Sequence, residues 1–177
     1  MLYYKKISSS LGEITLRSDG QFLTGLWFAN DKHYGDKYIQ DAQTAELPVF
    51  ALAEKWLAEY FAGCKPKVKV PLQFTGTDFQ KCVWKILQNI PYGRLVTYGD
   101  IACEIAAQRG LARMSAQAVG GAVGRNPLCI IIPCHRVIGA DGSLTGYGGG
   151  MWRKVRLLEI EKVDIGELTV PIKGTAL

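Results

Sequence analysis

Histidine is scarce in this 177-residue chain: there are two, His33 and His135, and only His135 lies beside a cysteine. No Cys-x-x-Cys pair occurs, and His33 stands far from every cysteine. That pattern argues against a zinc site, and no metal is expected. No run reaches the roughly 18 apolar residues of a membrane span, so no membrane partner is expected either. The first residues, Met1-Leu2-Tyr3-Tyr4-Lys5-Lys6, lack the apolar stretch and small-residue cleavage site of a signal peptide. The five cysteines (64, 82, 103, 129 and 134) are odd in number and irregularly spaced. They suit a reduced, cytoplasmic protein better than a disulfide framework. Internal repeats and low-complexity tracts are also missing.

What is present supports a folded core. Apolar residues make up 48% of the chain and the mean hydropathy is +0.05, enough for one large domain or two small ones. The net charge of +5 is uneven. Residues 1–75 carry nine Lys/Arg against eight Asp/Glu, whereas residues 76–158 carry ten against four. Seven of those ten are arginines between 94 and 156. Arginine's planar fork suits phosphates and base edges, so the second half is compatible with a polyanion partner as well as with an ordinary solvated surface.

The local patterns divide the chain near Gly76. Residues 1–30 read as strands, with Leu11–Arg17 and Phe22–Phe28 flanking an Asp19-Gly20 turn. Residues 31–45 read as a surface loop. Phe50, Leu52, Ala53, Trp56, Leu57 and Tyr60 give a helix over 47–62 that ends at Gly63. Lys65 to Pro71 alternates between prolines and reads as an edge strand. Beyond Gly76, Thr77 or Asp78 caps a helix and Pro91-Tyr92-Gly93 makes a turn. Thr97 starts a helix of about 98–108, and Ser115 caps Ala116–Val123. Two helices across a short glycine-containing turn suggest a helix-turn-helix. The second is rich in small residues, suiting either a bulky partner at its backbone or tight helix packing. Leu128–Ile132 reads as a short buried strand, and Trp152–Glu161 as a last helix. Trp56, Trp84 and Trp152 read as core, and Cys82, Cys103 and Cys129 as small hydrophobes.

The segment Pro133-Cys134-His135-Arg136-Val137 carries the chemistry. A thiol becomes a strong nucleophile as thiolate, and an imidazole within reach, directly or through a water, can take its proton. On a regular strand neighbouring side chains diverge, so Cys134 and His135 need a turn at Pro133 or a bridging water. A carboxylate beyond the imidazole would fix its tautomer; Glu159, Glu161 and Asp141 are available. Arg136 can contact a phosphate or pair with an acid.

Several segments in order resemble the O6-alkylguanine-DNA alkyltransferases, also called methylated-DNA–protein-cysteine methyltransferases. They are Gly76-Thr77-Asp78-Phe79-Gln80, Ile90-Pro91-Tyr92-Gly93, Val96-Thr97-Tyr98, Ala118-Val119-Gly120-Gly121-Ala122, Arg125-Asn126-Pro127 and Ile132-Pro133-Cys134-His135-Arg136-Val137-Ile138-Gly139. The resemblance is strong over about 76–162 and only patterned over 1–75. It implies an α+β protein. A small ribonuclease-H-like α/β domain at 1–75 would precede a mostly helical winged helix-turn-helix domain at 76–177. It also implies a monomer that binds double-stranded DNA, flips out O6-alkylguanine and moves the alkyl group irreversibly onto its own cysteine without a cofactor.

The same resemblance assigns roles by position. Cys134 is the acceptor, His135 its base through water, Glu161 the carboxylate partner and Tyr98 the donor to the guanine. Ser115, Gln117, Arg125, Asn126 and Arg136 fall at DNA, with Asn126 the hinge after the recognition helix. Val123, Tyr147 and Gly148 fall at the base pocket. Two positions depart from the family pattern: Gln117 stands where an arginine is frequent, and Gly148 where some relatives have serine. O4-alkylthymine is a second candidate substrate. Three other classes fit less well. A pure damaged-DNA binder of this kind carries tryptophan in place of Cys134. A cysteine hydrolase separates nucleophile and base in sequence, and a helix-turn-helix regulator leaves the cysteine motif idle.

Overall fold

The alternation from Gly12 onward does build paired strands. A computed structural model describes residues 1–170, and within them the chain divides into two units. The first comprises Met1–Thr75 with Pro127–Cys129, and the second comprises Gly76–Asn126 with the chain from Ile130 onward. Residues 171–177, which the sequence assigned to the second domain, lie outside the described residues.

In the first unit, β1 (Leu2–Ser9), β2 (Gly12–Ser18) and β3 (Leu23–Phe28) form an antiparallel meander, and β4 (Ala42–Thr44) pairs parallel with β1, in the order β3-β2-β1-β4. Helix α1 (Pro48–Phe61) begins with proline at its first position and ends before Gly63, whose φ of +75° suits glycine. It packs on β2 and β3, burying Phe50, Leu57 and Tyr60 with Leu16, Leu26 and Phe28.

Three expectations fail here. The supposed loop 31–45 holds a 3-10 turn (Asp36–Tyr38) and β4, whose partner lies some forty residues earlier. Lys65–Pro71 is not a strand, since prolines at 66 and 71 cannot donate to a ladder, and only Leu72 bridges to Leu23. The run Leu128–Ile132 is buried except for half-buried Ile131, but only Leu128 pairs, with Leu26, and Ile130 then turns the chain at φ +69°. Together Leu72 and Leu128 cover the outer edge of β3, which would otherwise be an open template for aggregation.

The second unit is helical. Its helices are α2 (Asp78–Gln88), α3 (Tyr98–Arg109), α4 (Ala116–Val123) and α5 (Met151–Ile160), with β5 (Val96–Thr97) pairing parallel to β6 (Val137–Ile138). Local chemistry sets the helix starts. Thr77 with Gln80, and Thr97 with Asp100, make reciprocal capping boxes, and Ser115 Oγ accepts from Ala118 N at 3.3 Å. Gly110 ends α3 at φ +64°. Helices α2 and α3 pack on α4, and the indole of Trp84 donates to the Ala122 carbonyl at 2.9 Å. Val119, Ala122 and Val123 face that packing, while Ala116, Gln117, Ala118 and Gly121 face outward.

Two side chains expected in the core are exposed. Trp152 stands 54% exposed on the face of α5 opposite Met151, Lys154 and Leu158, with the Arg153 guanidinium 4.7 Å from its ring centroid. Cys103 is exposed on α3, and Cys82 is half-buried. No helix among the described residues is long and apolar enough to cross a membrane.

Candidate active site

Residues Cys134–Arg136 form one turn of 3-10 helix rather than the end of a strand. Pro133 sets it up, and the Val137 N–H closes it on the Cys134 carbonyl. The turn removes the strand alternation that would have sent Cys134 and His135 to opposite faces. Cys134, His135 and Arg136 are all buried in it, at 5%, 0% and 7% exposure.

Glu161 is the carboxylate that meets this turn. It sits at the C-cap of α5, where the helix dipole disfavours a negative charge, so its partners must hold it there. His135 Nε2 lies 2.6 Å from Oε1. Arg136 donates from Nε to Oε2 at 2.8 Å and from Nη2 to Oε1 at 2.9 Å. The backbone N–H of Gly93 donates to Oε2 at 2.8 Å. The Pro91-Tyr92-Gly93 turn thus has a purpose. Gly93 has φ +72°, and a Cβ there would come within 3.2 Å of the Glu161 carbonyl oxygen. The Tyr92 hydroxyl donates to the Ile160 carbonyl at 3.2 Å.

The electrostatics of the cluster are consistent. Burial acts to raise the Glu161 carboxyl, but its bonds from His135 and Arg136 win and bring it to about 2. Burial lowers the His135 imidazole and outweighs the opposing pull of Glu161. The result is a cationic Arg136, an anionic Glu161 and a neutral His135. With Nε2–H donating to the carboxylate, the basic nitrogen of that imidazole is Nδ1. The other carboxylates considered from sequence are engaged elsewhere: Glu159 pairs with Arg156 at 2.6 Å, and Asp141 accepts from the Ser143 N–H at 3.1 Å.

A cavity of about 470 Å³ is lined by Tyr98, Gln117, Gly120, Gly139, Thr145 and Gly146, among others. Tyr98 donates to the Thr145 carbonyl at 3.0 Å, and burial pushes its phenol up to about 12, so it remains a donor at neutral pH. Gly146 adopts φ +69°, and a Cβ there would lie 3.1 Å from the Tyr98 hydroxyl, so the loop backbone can pass this close only as glycine. Among the described residues, no group of three or more His, Cys, Asp or Glu gathers in a metal-binding arrangement.

The positions expected at DNA divide. Ser115, Gln117 and Arg125 are exposed on or beside α4, Arg125 donating to the Gly121 carbonyl at 3.3 Å. Asn126 and Arg136 are not available to DNA in this structure. Asn126 is 2% exposed and donates to the Ile132 carbonyl at 2.7 Å, clamping the end of α4 to the segment before Cys134. Arg136 is committed to Glu161 and, through Nη1, to the Ile90 carbonyl at 2.6 Å, so the acidic pairing is the one realised. The three residues expected at the base pocket do not line this cavity. Val123 is a core side chain of α4 at 1% exposure, Tyr147 is 4% exposed, and Gly148 follows it in the loop.

Sequence reasoning missed Lys154. It is fully buried, and its ammonium donates to the carbonyls of Val137 at 2.6 Å and Thr145 at 2.8 Å. A lysine next to Arg153 and two residues from Arg156 in a basic helix looks solvated; only its spacing of three from Met151 and four from Leu158 could have hinted at the core face.

Known proteins match both units. The sequence model of the 6-O-methylguanine DNA methyltransferase ribonuclease-like domain matches residues 2–74, and that of the DNA binding domain matches residues 78–163. The methylated-DNA–protein-cysteine methyltransferase of Mycobacterium bovis is 45% identical over 162 residues, covering 92% of this chain and 93% of the relative. That of Haemophilus influenzae is 40% identical over 165 residues, covering 92% of this chain and 87% of the relative. Among solved structures, Mycobacterium tuberculosis OGT in complex with DNA superposes with a TM-score of 0.80 at 43% identity, covering 94% of each chain. The chain belongs to the 6-O-methylguanine DNA methyltransferase family.

Proposed function

We propose that this protein repairs double-stranded DNA by transferring the alkyl group from O6 of guanine to the sulfur of Cys134, once per molecule. The observation that carries this reading is the buried turn that sets Cys134 beside a neutral His135 held by Glu161. In the reaction His135 Nδ1 takes the Cys134 proton through a water. The thiolate attacks the alkyl carbon in line, the S–C bond forms and the C–O6 bond breaks. The electron pair leaves with guanine, and a hydrogen bond from Tyr98 stabilises the developing charge. The base must leave the helical stack to reach such a site. The thioether product has no ready leaving group, so the protein stops after one turnover, and the chemistry calls for no cofactor.

Residues 1–75 serve as a scaffold domain, and 76–177 as the DNA-binding and alkyl-accepting domain. Within the latter, the outward face of α4 supplies the DNA surface through Ser115, Gln117 and Arg125. The cavity lined by Tyr98, Thr145 and Gly146 receives the base, with Tyr147 and Gly148 continuing the same loop behind it. Asn126 acts as a hinge rather than as a DNA contact. We place the protein in the cytoplasm as a monomer; the absence of disulfides among its five cysteines supports a reducing compartment.

The test is the intact mass after incubation with a duplex containing O6-methylguanine. A single gain of about 14 Da on Cys134, absent in Cys134→Ala, is expected for one transferred methyl group. Repeated turnover with no adduct overturns the proposal. A parallel O4-methylthymine duplex tests the second substrate.

A further inference from the structure

The second half of β1 is an open strand edge. In the β1–β2 hairpin Tyr3 faces Ser18, Lys5 faces Leu16, Ile7 faces Ile14 and Ser9 faces Gly12. The two-residue turn closes on the Ser9–Gly12 pair, so the odd-numbered residues of β1 spend their main-chain N–H and C=O groups on β2. The even-numbered residues point those groups the other way. Tyr4 meets β4, its carbonyl accepting from the Ala45 N–H at 3.4 Å. There the pairing stops, and among the described residues no strand pairs with exposed Lys6 and Ser8 on that side. The edge of β3 carries Leu72 and Leu128; this one carries nothing comparable. A lysine side chain can guard such an edge, but that of Lys6 is drawn away by Glu13 at 3.4 Å and Asp36 at 3.3 Å.

Beside the edge lies a cavity of about 450 Å³ between β1 and α1. Half-buried Ile7 lines it from the strand, and Glu54, Leu57, Ala58 and Phe61 line it from the helix. An unpaired edge next to an apolar groove has one natural complement, an extended main chain whose alternate side chains enter the groove. Duplex DNA offers neither part. Charge narrows the occupant further. Glu54 already pairs with Lys5 at 2.7 Å, whereas Lys55, exposed at the rim, enters no ion pair among the described residues. The charge left over at the groove is positive.

We propose that the Lys6–Ser9 edge and the adjoining groove of α1 bind an extended segment of a partner protein. The segment adds to the sheet beyond β4 through the main chain of Lys6 and Ser8. It places an apolar side chain against Ile7, Leu57 and Phe61, and sets a carboxylate at Lys55. The free edge runs for about 10 Å, which suits a short linear segment. The site does not depend on the alkyl-transfer reading, and it gives the first unit a role besides that of a scaffold.

The test selects binders to the full chain from a displayed library of random linear peptides. Enriched peptides should alternate apolar residues and carry an acid. They are then synthesised with blocked termini and titrated against wild type and three variants. Ser8→Pro deletes an edge N–H that the β1–β2 ladder does not use. Ala58→Arg fills the groove from an exposed position of α1. Each is expected to weaken binding at least about tenfold and to leave methyl transfer unchanged. Lys55→Glu should move the preference to the same peptide with lysine in place of its acid. Bound peptide should also slow hydrogen exchange at the Lys6 and Ser8 amides. No enrichment, or equal affinity for wild type, Ser8→Pro and Ala58→Arg, overturns the proposal. An acid preference that survives Lys55→Glu overturns the placing of the carboxylate. A wild-type chain that sediments as a dimer, and as a monomer once Ser8→Pro is made, also overturns the proposal, because a second copy then fills the edge. Should Ser8→Pro not fold, Ala58→Arg and the exchange measurement decide.

Discussion

The two units treat charge in opposite ways. In the first, the buried polar residues are Thr15 and Ser18, and the ion pairs of Lys5 and Lys6 lie toward the surface. In the second, His135, Arg136, Lys154 and Glu161 are all buried. Taking an ion out of water costs several kcal/mol, roughly what its pairing returns. A scaffold has no reason to accept that cost, whereas a site that must hold an imidazole in one tautomer has. The contrast therefore marks where the chemistry of the site, rather than stability, accounts for the buried charges.

The largest test of the contrast is Glu161→Ala. It leaves the Arg136 guanidinium buried without its carboxylate and frees the His135 ring. The expected loss is about 3–5 kcal/mol of stability, read from denaturant midpoints, and transfer should slow by about 100-fold or more. A variant of near-wild-type stability would show that the cluster is wetter than it looks.

Acid is the next. His135 is held neutral in the fold below its ordinary 6.5, so the unfolded chain binds more protons as pH drops past that value, and stability falls. Glu161 goes from an ordinary 4.5 to about 2, so its contribution is complete above 4.5 and is lost as pH falls toward 2. Lys154 has the opposite window. Lowered from 10.5 to about 8, it makes stability rise with pH between those values. Urea midpoints from pH 3 to 10 should therefore decline below about 6.5, steepen below about 4.5, and climb above about 8. A profile flat from 4 to 7 would break the assignment of a neutral buried histidine.

Much of this was readable in advance, and the division is physical. The starts of α2, α3 and α4 were visible because a cap is a bond between residues three apart: Thr77 with Gln80, Thr97 with Asp100, Ser115 with Ala118. The β2–β3 hairpin was visible because its turn is contiguous. β4 was not, because a three-residue Ala-Gln-Thr segment acquires its meaning from β1. Leu128–Ile132 looked like a strand because burial and strand pairing leave the same apolar signature, and Ile130's positive φ carries no sequence mark. In the site, His135 and Glu161 are in contact, the pair that the family resemblance suggested, and Cys134 shares the turn with His135. Arg136 and Lys154 did not declare themselves, since a buried cation and a solvated one are written with the same letter.

A smaller effect is expected on the outward face of α4. Gln117 is exposed and lines the cavity, so Gln117→Arg adds a charge in water rather than in the core. Stability should not move. Affinity for duplex DNA should rise several-fold at low salt, with the salt slope steepened by about one counterion. No gain in affinity or transfer rate would mean that this face of α4 does not meet the backbone or the vacated base.

The smallest expected effect sharpens the contrast most. Glu46 accepts from Lys5 at 2.6 Å, the same distance that separates His135 from Glu161, yet the Glu46 side chain is 79% exposed and that of Glu161 is fully buried. Lys5 also has Glu54 at 2.7 Å, so removing Glu46 leaves no cation alone. Glu46→Ala should thus leave the denaturation midpoint unchanged within error, because water replaces the lost partner and salt already screens the pair. If Glu46→Ala and Glu161→Ala cost the same, separation alone would set the energy of these pairs. If only Glu161→Ala is costly, the surroundings set it, and the buried cluster is the part of the molecule that its chemistry compels it to keep.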